Sequence, residues 1–494
     1  MTTGERIQTG VPGLDSVLDG GLIGDSLYLL KGAPGTGKTT IGLQFLLEGA
    51  KRGERCLYLG LSETRGQLDS LATSFGWRLD GIEIHDMRRR GESDDKRSSY
   101  TVFSPSEVEL EEISREILEQ VDRVRPARLV LDSLSEIRLL ADDPFRYRRE
   151  LLVLSDQISA RGCTGLLLDV ESEGNQAAVA ETLVSGVVVL DQLSPEYGGD
   201  RRRLRVRKLR ASRSIGGYHD LVIGERGVQV FPRLVASEHR AQHASSEVSS
   251  GVKELDTLLG GGLDRGTSTV LLGPAGTGKS TIAAVFVAQA ASRGEKSVLF
   301  CFDESPTNLL IRTKGLGIPL QKYVDAGTVM LVPVDPAEFS PGELASRVRA
   351  HVDGGDRLVV IDSMNGYISA MPEERFLAAH LHELLAYLAE KGVATILTLA
   401  QHGFFGGDET PINISYIADT VLLFRYFEAM GEVKQALSVV KKRTGPHERT
   451  IRELKFGPEG VHLGEPLRNY QGVLSGVPLL LEPGLLRGQH EPSE

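Results

Sequence analysis

The pattern G-x-x-x-x-G-K-[ST] occurs twice in this chain, as Gly32-Ala33-Pro34-Gly35-Thr36-Gly37-Lys38-Thr39 and as Gly273-Pro274-Ala275-Gly276-Thr277-Gly278-Lys279-Ser280. The two lysines lie 241 positions apart in a chain of 494 residues. Upstream, at the same offset, Gly10-Val11, Leu14-Asp15, Leu18 and Gly20-Gly21-Leu22 match Gly251-Val252, Leu255-Asp256, Leu259 and Gly261-Gly262-Leu263. A duplicated domain therefore replaces the prior of about three domains that length alone suggests at ~150 residues each. Closely spaced glycines let consecutive backbone N–H groups turn inward around phosphates at a helix N-terminus. Lys38 and Lys279 are expected to neutralise the β- and γ-phosphates, and Thr39 and Ser280 to ligate Mg²⁺. Gly35, Thr36, Gly37 and Thr40, with Gly276, Thr277, Gly278 and Thr281, complete the two cradles. A Gly-rich turn between strand and helix can arise by chance, but two in matching context argue against it.

Each copy reads as strand, loop, helix. Apolar runs at Leu27–Leu30 and Thr269–Leu272 precede the loops, and Ile41, Phe45 and Leu46 follow at helical spacing. Buried strands are expected over Cys56–Leu61 and Ser297–Phe302, each ending on an acidic residue, and over Arg128–Asp132 and Leu358–Asp362. Helices follow near Phe145–Arg161 and Phe376–Lys391. Further strands run through Gly165–Asp169, Val187–Leu190, Thr395–Leu399 and Val421–Phe424. This alternation implies an α/β fold with mostly parallel sheets flanked by helices. Each copy closes with strand-like segments, Arg203–Leu209 with Val228–Phe231 and Gln435–Lys441 with Arg452–Phe456. Two P-loop NTPase domains are expected over 1–233 and 251–484. A linker rich in Ser, Ala and His covers 234–250, and a disordered tail 485–494.

Asp132 and Asp362 end apolar runs of three and four residues, Leu129–Leu131 and Leu358–Ile361, where a carboxylate is held rigidly to bind Mg²⁺. An aspartate capping the next helix is the alternative, but behind a P-loop the metal role is preferred. Glu63 and Glu304 are again 241 positions apart. They read as bases for the attacking water, placed at the end of a strand adjacent to the P-loop strand; exposed loop carboxylates are the alternative. Arg201–Arg213 is strongly basic, with Leu204 and Val206 interleaved. It reads as a solvated face, as a nucleic-acid contact, or as an arginine finger reaching a neighbouring subunit's γ-phosphate. Lys441-Lys442-Arg443 occupies the corresponding place in the second copy, which favours the finger. His243, His380, His382 and His402 form no convincing ligand set.

Hydrophobic residues at 40% and charged residues at 25% are ordinary for a soluble globular chain. The net charge of −11 weighs against broad binding to nucleic acid. Three cysteines, Cys56, Cys163 and Cys301, lack metal-ligand spacing and read as buried apolar groups in a reducing compartment. No apolar run approaches the ~20 residues that span a bilayer, and no signal peptide is evident, so a cytoplasmic protein without membrane association is expected.

On these residues the chain resembles the KaiC family, the double-domain RecA-type ATPases and autokinases of the circadian clock. The resemblance covers nearly the whole chain. It includes Thr9 to Leu22, both P-loops, both aspartate segments and Lys208-Leu209-Arg210. It also includes Ile414-Ser415-Tyr416-Ile417-Ala418-Asp419-Thr420 and Leu467-Arg468-Asn469-Tyr470. It implies two tandem RecA-like domains in a double-ring homohexamer, with ATP and Mg²⁺ at subunit interfaces. The first copy would chiefly hydrolyse ATP. The second would transfer phosphate to its own Ser/Thr pair and reverse the transfer, and signalling proteins would read the result. Lys208 and Arg210 would be the fingers of one ring, Lys441 and Arg443 those of the other. The family's paired glutamates read Ser62-Glu63 and Asp303-Glu304 here. Serine cannot act as a base, and Asp303 is one methylene shorter than glutamate. The acceptor pair reads Ser415-Tyr416, and Thr410 matches a family threonine nearby. Two other readings compete: a DNA-dependent recombination or helicase motor on the same fold, and a nucleotide-gated scaffold without kinase activity.

Overall fold

The computed structural model describes residues 5–87, 105–141, 143–171, 175–194, 198–235, 246–335, 337–369, 377–401, 418–475 and 478–480. Thr410, Ser415, Tyr416, His243 and His402 lie outside the described residues, as do 236–245 and the tail. The chain divides into two compact units, Met1–Arg233 and Leu234–Glu494.

The first unit is built on a nine-stranded sheet in the order Gly227–Phe231, His219–Gly224, Arg201–Leu209, Gly186–Leu193, Leu27–Gly32, Thr164–Val170, Arg128–Asp132, Cys56–Gly60, Ile82–Asp86. From Gly186–Leu193 onward the neighbours are parallel; the first three strands join antiparallel. The second unit repeats the plan: Val329–Pro333, Ser297–Cys301, Leu358–Asp362, Ala394–Ala400, Ser268–Gly273, Thr420–Ala429, Glu432–Lys442, Ile451–Gly457, Gly460–Pro466. Every residue of Leu27–Gly32, Cys56–Gly60, Arg128–Asp132 and Ser297–Cys301 is buried. Strands covered on both faces have no polar side to show, so they read as unbroken apolar runs. Helix Lys38–Lys51 packs Ile41, Phe45 and Leu46 on one face of the first sheet. Helix Pro144–Ser159 packs Leu151, Leu154 and Ile158 on the other. The α/β class, with two RecA-like units and mostly parallel sheets, is the observed architecture.

Within the two nine-stranded sheets, four strands have no counterpart in the sequence reading: Ile82–Asp86, Val329–Pro333, His219–Gly224 and Gly460–Pro466. All lie at or next to a sheet edge. One-sided burial breaks the apolar run there, as Glu83 and His85 do in Ile82–Asp86. The repeated Gly-Gly of each lead-in also has a structural cause. Arg6–Ile7 pairs with Leu22–Ile23, and Glu247–Val248 with Leu263–Asp264. A Cβ on Gly21 would stand 2.5 Å from the Ile7 carbonyl oxygen, and one on Gly262 2.6 Å from that of Val248. Glu247 and Val248, placed in the linker by composition, thus belong to the second unit's lead-in. Among the described residues, no helix is long and apolar enough to cross a membrane.

Candidate functional site

At the carboxyl end of the central strand of each sheet the chain turns through the Gly-rich loop into helix Lys38–Lys51 or Lys279–Ser292. Gly35 and Gly37 hold φ at 81° and 98°, Gly276 and Gly278 at 78° and 95°, which glycine alone adopts freely. Thr36 Oγ1 donates to the Ala33 carbonyl and Thr277 Oγ1 to that of Pro274, both at 2.8 Å, closing the loops. Lys38 Nζ donates to the carbonyls of Gly32 and Ala33 at 2.7 and 2.8 Å. Lys279 Nζ does the same with Gly273 and Pro274 at 2.8 and 2.7 Å. Burial pushes the Lys279 ammonium down to about 8, against the pull of Asp362. It lowers Lys38 as well, against Asp132 and Asp169. A partly desolvated cation in a Gly-rich loop that opens a helix is suited to an anion. Beside the loops, Gln192 Oε1 and Gln401 Oε1 are buried without a hydrogen-bond partner among the described residues. These features fit a bound nucleoside triphosphate.

The loops do not tolerate a side chain equally. A Cβ on Gly278 would lie 2.0 Å from Phe456 Cζ, whereas one on Gly37 would lie 3.0 Å from Ile223 Cδ1. Gly278→Ala is therefore expected to cost about 1–3 kcal/mol from the backbone alone, plus displacement of the Phe456 ring. Gly37→Ala should cost less; equal losses of melting temperature would contradict this.

Behind each loop a hydroxyl meets a carboxylate. Thr39 Oγ1 donates to Asp132 Oδ2 at 2.9 Å, and Tyr58 OH donates to the same oxygen at 2.7 Å. In the second unit the hydroxyls of Ser280 and Thr398 both donate to Asp362. Burial raises the Asp362 carboxyl, opposed by these hydrogen bonds and by the charge of Arg312. Burial, and then Asp132, hold the Tyr58 phenol well above its usual range, so it remains a neutral donor. Oxygen donors of this kind suit a hard divalent cation such as Mg²⁺. Tyr58 reaches across from one neighbouring strand and Thr398 from the opposite one; sequence reasoning singled out neither. The available signal was a polar group inside an otherwise apolar buried strand, which must find a partner. Tyr58→Phe should cost about 1–3 kcal/mol by leaving a buried carboxylate short of one donor, and should slow first-unit turnover. Unchanged stability and turnover in that variant would show that Thr39 alone suffices.

Glu63 lies three residues past strand Cys56–Gly60, not at its end, and Glu304 equally follows Ser297–Cys301. The expected adjacency to the P-loop strand is corrected. Two strands stand between, because the aspartate strand and its neighbour cross over into that gap. The glutamate loops are nonetheless tied to the aspartates: Leu61 N donates to the Asp132 carbonyl at 2.6 Å and Phe302 N to that of Asp362 at 2.7 Å. Among the described residues no hydrogen bond or ion pair engages the Glu63 carboxylate, but Arg312 grips Glu304 at 3.2 and 2.6 Å. Asp303 accepts a hydrogen bond from the Ser363 hydroxyl.

The basic run divides by register. Lys208 and Arg210 flank the start of Gly186–Leu193, the opposite end of the sheet from Gly32, and so cannot serve their own unit's P-loop. Lys208 Nζ donates to the carbonyls of Glu181 and Val184 at 2.6 and 2.7 Å, and Arg210 Nη2 to that of Thr182 at 2.9 Å. Lys441 Nζ donates to the Ala418 carbonyl at 2.6 Å, and Arg443 pairs with Asp419 at 3.4 Å. At the P-loop end of the strand it is Arg202 whose Nε donates to the Gly35 carbonyl at 3.2 Å.

A family profile described as "ATPase: KaiC" matches residues 7–235 and again 248–468. Circadian clock protein KaiC3 of Synechocystis is 26% identical over 482 residues, 96% of this chain and 95% of the relative. The circadian clock oscillator protein KaiC of Parasynechococcus marenigrum is 27% identical over 96% of this chain and 93% of its own length. That of Synechococcus elongatus is 27% identical over 96% and 92%. With two repeats matched across the two units and a phosphate loop at the same place in each, the chain belongs to the KaiC family of ATPases.

Proposed function

We propose that both units bind and hydrolyse Mg-ATP, and that the second also passes phosphate to a hydroxyl of its own chain among Thr410, Ser415 and Tyr416. The reading rests on one observation made twice: a loop lysine and a hydroxyl–carboxylate pair at the same end of a parallel sheet. In it, the N–H groups around Gly35, Thr36 and Gly37, and around Gly276, Thr277 and Gly278, cradle the phosphates, with Thr40 and Thr281 beside them. Lys38 and Lys279 neutralise phosphate charge. Thr39 with Asp132, and Ser280 with Asp362, would hold Mg²⁺, which supplies charge neutralisation on the transferring phosphoryl group. Glu63 and Glu304 orient and deprotonate the nucleophile, and Asp303 assists at the second site.

Lys208, Arg210, Lys441 and Arg443 lie far from their own loops, which supports a role at a neighbour's site in a homohexameric ring. The relatives' names support a clock-type or signalling switch, read by protein partners. Phosphate release assayed with Asp132→Asn and Asp362→Asn tests the shared core of this reading. Each substitution should remove one unit's Mg²⁺-dependent turnover, and full turnover in the double variant would refute it. The scaffold reading draws its support from the engagement of Glu304 by Arg312, which has no counterpart at Glu63 among the described residues.

A further inference from the structure

The two sites differ at one charge that neither the motifs nor the resemblance picks out. Arg312 stands eight positions after Glu304, and at the same offset from Glu63 the first copy carries Leu71. Ser305 caps helix Pro306–Gly315 by accepting from Asn308 N, and Arg312 lies in its last turn. From there the guanidinium meets Glu304 side-on, Nε to Oε1 at 3.2 Å and Nη2 to Oε2 at 2.6 Å. Its remaining nitrogen, Nη1, donates to Thr281 Oγ1, next to Ser280 in the loop helix. Its charge also acts on Asp362. One side chain thus ties the second-site glutamate to the loop helix. In the first unit Leu71 instead packs against the apolar core.

We propose that Arg312 is a positioning residue that holds Glu304 on the loop helix and so brakes water activation at the second site. This rests on the reading of Glu304 as that site's base. Both oxygens that would accept the water's proton are engaged by the guanidinium, whereas those of Glu63 carry no such bond among the described residues. Arg312 and Glu304 are 32% and 30% exposed. The pair is therefore a weak, solvent-screened one, and the brake is releasable rather than absolute.

The test isolates the second site in full-length Lys38→Ala protein and adds Arg312→Leu or Arg312→Lys. An exposed ion pair of this kind predicts a rise in kcat of about threefold for Arg312→Leu at unchanged KM, with Arg312→Lys intermediate. Saturated turnover of the Lys38→Ala parent should rise with ionic strength, and that of Arg312→Leu should not. Conversely, Leu71→Arg in Lys279→Ala protein should slow the first site by about the same factor. A loss of folding alone would not raise kcat. Equal or lower kcat in Arg312→Leu with KM retained, or identical salt dependence in parent and variant, would overturn the brake. Hydrolysis persisting in the double variant Lys38→Ala/Lys279→Ala would refute the site assignment itself, and the brake with it.

Discussion

Lys38→Ala is expected to empty the N-terminal unit of nucleotide and to leave the C-terminal unit loaded, and Lys279→Ala to do the reverse. Each ammonium lies inside its own loop on two of that loop's carbonyls, so its removal is local. The loss is large because the lysine contributes charge-assisted hydrogen bonds to phosphate. With two such bonds at about 1.5–3 kcal/mol each, affinity should fall by roughly 10²–10⁴-fold. Nucleotide bound per chain, counted by calorimetry, should drop to half in either variant and to none in the double variant. One substitution emptying both units would show that the two sites do not act independently.

The second large effect concerns chemistry rather than binding. Glu63→Gln keeps the size and hydrogen-bonding reach of the side chain but removes its capacity to take a proton. In a Lys279→Ala background, hydrolysis by the first unit should fall by about 10²–10⁴-fold, the usual contribution of a general base, with ATP still bound. Ser62 gives the loop no second base. Unchanged turnover in Glu63→Gln would place the base elsewhere.

What the sequence made legible follows from what is local in it. The loops, their lysines and the aspartates closing buried strands declare themselves because phosphate and metal binding need particular residues at short, fixed spacing. The α/β class followed from the alternation of unbroken apolar runs with helical spacing. Strand order was not legible. By spacing Glu63 reads as flanking the P-loop strand, whereas Arg128–Asp132 and Thr164–Val170 intervene, since crossovers leave no mark on spacing. Tyr58 and Thr398 were hidden for the same reason: each meets its aspartate only across the sheet. Lys208 and Arg202 lie six residues apart in one basic run. Only the antiparallel register puts one at the P-loop and the other at the opposite end of the sheet. Nothing in the sequence sets Arg312 apart from the other arginines, and only the fold brings it to Glu304.

Intact-mass spectrometry after incubation with Mg-ATP decides whether the chain transfers phosphate to itself. The native chain should gain phosphate-sized increments that vanish in Lys279→Ala and persist in Lys38→Ala, with peptide mapping placing them at Ser415, Tyr416 or Thr410. ATP hydrolysed at both sites without any increment would contradict the claim of self-transfer and leave an ATPase without autokinase activity.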